Sequence, residues 1–136
     1  MVKINIVYEG GLHCRLTHGP SGTVMTTDAP KDNNGRGESF SPTDLVASAL
    51  GSCMMTIMAI YAMKHGIHIE GSEVEVTKEM IQEPERRIGK LGVVFKMAEG
   101  LSKEQRTTLE RVALTCPVHK SLGPNVQIPI TFNYPD

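Results

Sequence analysis

Tryptophan is absent, and aromatic residues make up only 4% of the chain. A base-stacking platform for single-stranded nucleic acid has little to be built from, and neither has a sugar-stacking face. Excess charge is missing as well. The 14 Lys+Arg stand against 15 Asp+Glu, a formal net charge of −1, so the basic footprint of a nucleic-acid binder is not there. The cysteines Cys14, Cys53 and Cys116 are too few, and odd in number, to make a disulfide framework. The opening stretch MVKINIVYEGG carries no apolar signal-peptide core. Together these two absences lead us to expect a cytoplasmic protein with reduced thiols, in which any disulfide is transient and chemical. Phosphate loops, GxGxxG turns, GxSxG elbows and paired-histidine motifs are also missing, which leaves nucleotide, dinucleotide, serine-hydrolase and zinc-protease chemistry without their usual handles.

The remaining composition is that of an ordinary globular domain: 136 residues, 40% hydrophobic and 21% charged, with eight Met to give an adaptable core. The length suits one domain over 1–136. Alternation predicts strands within about 2–29, with Gly10-Gly11 and His18-Gly19-Pro20-Ser21-Gly22 as turns, hence a three-stranded antiparallel meander. A polar, Gly-containing loop, residues 30–41, follows; loops of that length are often functional. Ser41 as N-cap, Pro42 at the first helical position and Asp44 three after the cap open a long helix over about 42–65, which Gly66 can end. Strands are expected over 67–82 and 90–98 with EPERRIGK as the turn between them. Helices are expected over about 102–122, where Ser102 and Gln105 have capping-box spacing and Pro117 interrupts the run. A final strand is expected over about 126–134, with Pro129 favouring an edge.

Leu45 to Met63 contains no charged residue and passes the length test for a membrane span. Gly, Ser, Thr and Cys dilute it, and no Lys/Arg cluster marks an inside face. It reads instead as a buried central helix without a membrane. A helix that is apolar nearly all round must be covered on every side, and a chain this small does that most economically as a homodimer.

Cys53 falls on the apolar stripe of this helix with Leu50, Met54 and Ile57, and Cys116 on the stripe Leu109, Val112, Ala113 of the next. Two thiols aimed into one core can meet and oxidise if their Cα atoms come within about 7 Å; they can equally be inert core cysteines, because free Cys is among the most buried residue types. A reactive thiol needs a cation, since an apolar mid-helix setting raises its pKa. Arg36, in the pre-helix loop, and Arg15, on a strand beside Cys14, are the candidates, and either also makes sense as a solvated surface charge. Glu38 and Asp44 are carboxylates able to aim a guanidinium, although capping the helix explains Asp44 as well. Cys116 and His119 supply at most half of a zinc site, and no CxxC or HxxxH completes it, so no metal is expected.

SPTDLVASALGSC opening a long apolar helix, with TCPVHKSL about sixty residues later, resembles the OsmC/Ohr family of thiol-dependent peroxidases over nearly the whole chain. The resemblance implies an α+β fold: an intertwined homodimer with antiparallel sheets packed around long central helices, and active sites at the dimer interface. It implies a stress-response antioxidant enzyme that needs no cofactor. Cys53 matches the peroxidatic cysteine and Cys116 the resolving one. The substrate would be an organic hydroperoxide, hydrogen peroxide being a second possibility, and the electron donor a dithiol such as a lipoylated protein. The family uses an arginine to activate the thiolate and a carboxylate to hold it. Arg36 is similar in position to the arginine of OsmC-type members and is preferred to Arg15, which lies displaced from the Ohr-type position. Where the best-known members carry Glu, this chain has Thr43, with Asp44 one residue later. An apolar pocket of Leu50, Met54 and Ile57 would favour organic peroxides. A binding module for an apolar molecule and a thiol redox sensor are the alternatives on the same scaffold.

Overall fold

In a computed structural model describing residues 1–136, the N-terminal alternation becomes three strands: β1 (Ile4–Gly10), β2 (His13–His18) and β3 (Val24–Asp28). They pair antiparallel in the order β1-β2-β3. The register sets Ile4, Ile6 and Tyr8 opposite His18, Leu16 and Cys14, and Leu16 and Cys14 opposite Met25 and Thr27. Side chains alternate across a strand, so one face collects Ile4, Ile6, Tyr8, Leu16 and Met25, while Glu9, His13, Arg15, Thr26 and Asp28 share the other. A 3-10 turn, Lys31–Asn33, begins the polar loop that follows.

The long helix α1 runs Pro42–Lys64. Its start is a reciprocal cap: Asp44 N–H donates to Ser41 Oγ at 3.1 Å, and Ser41 N–H donates to the Asp44 carboxylate at 2.9 Å. Its end is a left-handed cap at Gly66, φ +65, with Ile67 N–H donating back to Ala62 O at 2.9 Å. By length and composition alone α1 could cross a membrane. Ala47, Leu50, Gly51, Met54, Met58 and Ala62 along it are nevertheless buried within the protein.

The chain divides into two compact units, Met1–Val46 and Ala47–Asp136. The second unit contains β4 (Glu73–Ile81), β5 (Arg87–Lys96) and β6 (Ile130–Asn133) in the order β4-β5-β6. β4 and β5 are antiparallel, whereas β6 lies on the edge parallel to β5. Parallel neighbours need a crossover; here it carries α2 (Lys103–Ala113) and α3 (Pro117–Ser121). The core sits on one face of this sheet, where Leu91, Val93 and Phe95 are buried and Phe95 stacks on Phe132 with ring centroids 4.6 Å apart. α1 meets β4 through Gly51, where an added Cβ would stand 2.8 Å from Val76 Cγ2. Leu50, Met54 and Met58 are completely buried, each contributing about 1.5–3 kcal/mol of transfer free energy.

The element edges differ from the sequence expectation for local reasons. Residues 67–72 alternate in polarity yet form no strand, because Ile67 N–H closes the helix and Ser72 N–H turns back to Ile69 O at 3.1 Å. β5 begins at Arg87, inside the expected turn. Gly89 permits this, since a Cβ there would meet Ile81 Cγ2 at 2.6 Å. Regular pairing of the last strand starts only at Ile130, after the donor-less Pro129, with an isolated bridge between Gln127 and Lys90 before it. α2 has both capping-box bonds, Gln105 N–H to Ser102 Oγ at 3.1 Å and Ser102 N–H to Gln105 Oε1 at 2.9 Å.

Candidate functional site

Cys53 sits mid-way along α1 and is half-buried; Cys116 is fully buried at the N-cap of α3. Pro117 at the first position of α3 stops α2 from running on and leaves the Cys116 sulfur facing a helix start, where it accepts from His119 N–H at 3.3 Å. Cys53 is close enough to Cys116 to act on its titration. Burial pushes the Cys116 thiol above its ordinary value of 9.0, and the Cys53 contact raises it further, while the His119 and Val118 backbone groups pull it down. Near neutral pH Cys116 is therefore a protonated thiol. Both are free in this structure. No group of His, Cys, Asp and Glu is arranged to hold a metal.

The remaining predicted site residues lie in the first unit. Arg15, on the polar face of the first sheet, approaches Glu9 at 3.5 Å. Arg36 projects from the 30–41 loop so that its Nη2 would be 3.0 Å from a Cβ placed on Gly11. Asp44 takes part in the cap of α1. Asp28 is marked by no motif, yet it is only 4% exposed, and its Oδ1 lies 2.6 Å from His13 Nδ1. Its carboxyl is held below its ordinary 3.8, first by the His13 hydrogen bond against the opposing pull of burial, then by the Glu38 backbone and the Arg36 charge. The one available signal was the pairing of His13 and Asp28 in the β2–β3 register.

Leu50 and Met54, expected to line an apolar pocket, are packed completely out of solvent and Ile57 is half-buried. The helical period explains this: positions 47, 50, 54 and 58 form the stripe that packs inward. An apolar cavity of about 310 Å³ lies farther along α1, lined by Met55, Ala59, Met63, Ile67 and Ile69 among others.

A family model described as OsmC-like protein matches residues 35–131. No curated protein sequence matches the chain. Among solved structures it is similar to an osmotic stress induced and detoxification response protein of Psychrobacter arcticus. That likeness has 38% identity and a TM-score of 0.92, and it covers 98% of this chain and 96% of the other. An OsmC-like protein of Mycoplasma pneumoniae shares 17% identity at a TM-score of 0.82, covering 98% and 96%. An organic hydroperoxide resistance protein OsmC of Legionella pneumophila shares 16% at 0.78, with the same coverage. At the last two identities the likeness is one of fold.

Proposed function

The chain belongs to the OsmC-like protein family, and from that premise we propose that it is a cysteine peroxidase reducing organic hydroperoxides. The observation that carries this reading is that Cys53 acts directly on the Cys116 thiol and helps to raise its pKa, so that two free thiols, one on α1 and one at the start of α3, are neighbours.

The Cys53 thiolate attacks the distal peroxide oxygen. An S–O bond forms, the O–O bond breaks, and the alkoxide leaves as alcohol after taking a proton; Cys53 is now a sulfenic acid. Cys116 attacks that sulfur, forming the Cys53–Cys116 disulfide and releasing water. An external dithiol, such as a lipoylated protein, reduces the bridge by exchange and is itself oxidised to a disulfide. Burial keeps Cys116 protonated, which suits the resolving thiol, and Cys53 acts as nucleophile. Arg36 stabilises the Cys53 thiolate and orients the peroxide. Arg15 is the weaker candidate because Glu9 already faces it at 3.5 Å, and Asp44 serves α1 as its cap. No metal or cofactor enters, because sulfur carries the whole two-electron change.

We place the working form as a homodimer in the cytoplasm. Ile4, Ile6 and Tyr8 are each more than half exposed on one sheet face. The outward side of α1, with Ala49, Ser52, Thr56, Ile60 and Met63, carries no charge. Uncovered apolar side chains such as these mark an interface, and a second copy supplies the cover. A carrier of an apolar molecule is the second reading, drawn from the cavity lined by Met55, Met63 and Ile67; a co-purified ligand in a native mass spectrum supports it. The peroxidase reading is tested by turnover of tert-butyl hydroperoxide with a dithiol. Cys53→Ser is expected to abolish turnover, and full activity in that variant would overturn the proposal.

A further inference from the structure

Reduction of a disulfide by a thiol depends on whether the incoming thiolate can reach a sulfur and on how well the other sulfur leaves. In a Cys53–Cys116 bridge these requirements oppose each other. Cys116 is completely buried and Cys53 only half-buried, so access favours attack at Cys53. Burial also raises the Cys116 thiol, and a more basic thiolate leaves more slowly, so leaving ability favours attack at Cys116. Access decides, because a sulfur without exposed surface offers no line of approach, whereas a slow departure can be offset by a donor aimed at the departing charge. That donor is in place. Cys116 is the N-cap of α3, and its Sγ accepts from His119 N–H at 3.3 Å. An N–H in the first turn of a helix has no carbonyl partner of its own, so this one is available to the sulfur. Its direction is set by the turn around it: Lys120 N–H donates to Cys116 O at 3.0 Å, Leu122 N–H to Val118 O at 3.2 Å and Ser121 Oγ to Pro117 O at 2.8 Å.

We propose that the dithiol reductant attacks the Cys53 sulfur and that Cys116 is the leaving group, with the backbone N–H of His119 as the catalytic group that receives its charge. The inference rests on the reading of Cys53 and Cys116 as a redox pair. A thiolate of the reductant forms a bond to Cys53 Sγ, the Cys53–Cys116 bond breaks, and its electron pair stays on Cys116 Sγ, which then takes a proton. The second thiolate of the reductant attacks the reductant's own sulfur in this mixed disulfide. The reductant leaves as a disulfide, and Cys53 is released as a thiolate for the next peroxide. A donor already fixed in the turn costs no reorganisation when charge develops on the sulfur.

The test forms the bridge in the full chain with diamide, which requires no peroxidase activity, and then adds limiting glutathione, a monothiol that cannot complete the second exchange. Samples are quenched in acid at early times and peptide-mapped. The expected product carries glutathione on Cys53 and a free thiol at Cys116. Glutathione on Cys116, or equally on both, overturns the inference, as does a bridge that glutathione leaves intact. Failure of diamide to form the bridge overturns the redox-pair reading and this inference with it. Glutathione on Cys53 in a protein that does not turn over tert-butyl hydroperoxide overturns the peroxidase reading alone. His119→Pro removes the N–H and is expected to slow bridge reduction by about tenfold, the size of a lost hydrogen bond to a charged leaving group. His119→Ala keeps the N–H and should reduce at the wild-type rate. An unchanged rate in His119→Pro, or an equal slowing in both variants, overturns the role of the backbone donor. If His119→Pro fails to fold, amide exchange of the reduced wild type reads the same contact: the His119 proton should be protected, and exchange at the rate of an exposed amide overturns that role.

Discussion

The two sheets of this chain are similar in size and opposite in condition. In the second unit, one face of β5 buries Leu91, Val93 and Phe95, and α1 closes on β4 at Gly51. In the first unit, every residue of β1 before Gly10 is exposed, including Ile4, Ile6, Val7 and Tyr8. A three-stranded sheet needs one covered apolar face for independent stability. The second unit has that cover in its own chain. The first has the apolar face and no cover of its own, which is the condition of a surface made for another molecule.

The largest effect should come from opening the closed core. Phe95→Ala removes a buried ring that stacks on Phe132 and is expected to cost about 3–5 kcal/mol, read from denaturant unfolding. An unfolding midpoint unchanged from wild type would mean that the face of β5 is not the core.

Next comes Ile6→Asp, on the uncovered sheet. As a lone surface change it would be worth under about 0.5 kcal/mol. A charge at a buried interface costs several times more, so the variant should elute near the single-chain mass of 14.9 kDa while the wild type elutes near twice it. Equal elution of the two would break the contrast between the sheets.

A smaller effect is expected at a site that belongs to one helix alone. Ser102→Ala removes the hydroxyl that caps α2 and should cost about 1 kcal/mol, with peroxide turnover unchanged.

The two units should also differ in their response to pH. Asp28 has a folded pKa below its ordinary 3.8, so its contribution is present above 3.8 and is lost as pH falls through that value to the folded one. Cys116 has a folded pKa above 9.0. Its contribution is therefore present below 9.0 and is lost as pH rises toward the folded value. Amide exchange should show residues 29–40 opening first in acid. Cys116→Ser should flatten the alkaline loss of stability, and identical alkaline profiles would contradict the raised thiol.

How much of this was legible in the residues depends on how local the signal is. α1 could be read from both ends because its cap uses Ser41, Pro42 and Asp44 and its stop uses Gly66, all within a turn of the boundary. Residues 67–72 were not, because their alternation says nothing about backbone donors already spent on ending the helix. The late start of β6 follows from Pro129, whose lack of an N–H is visible but whose register with β5 is not. Cys53 could be placed on a helical stripe by spacing, whereas Cys116, expected on the stripe of the next helix, lies beyond the end of α2 as the N-cap of α3 because Pro117 starts a new helix there; that the two thiols act on each other is a property of the packed unit. Asp28 escaped notice because it gains meaning only when β2 and β3 pair and bring it to His13. The open face of β1 was hidden for the same reason, since alternation marks an apolar face without saying what will cover it.

The most direct measurement is peptide-mapped mass spectrometry of the reduced protein after one equivalent of tert-butyl hydroperoxide. Loss of two hydrogens, carried by a single peptide pair joining Cys53 to Cys116, is the expected result. An intact mass without that loss, with both thiols still alkylated after unfolding, would contradict the two-cysteine cycle.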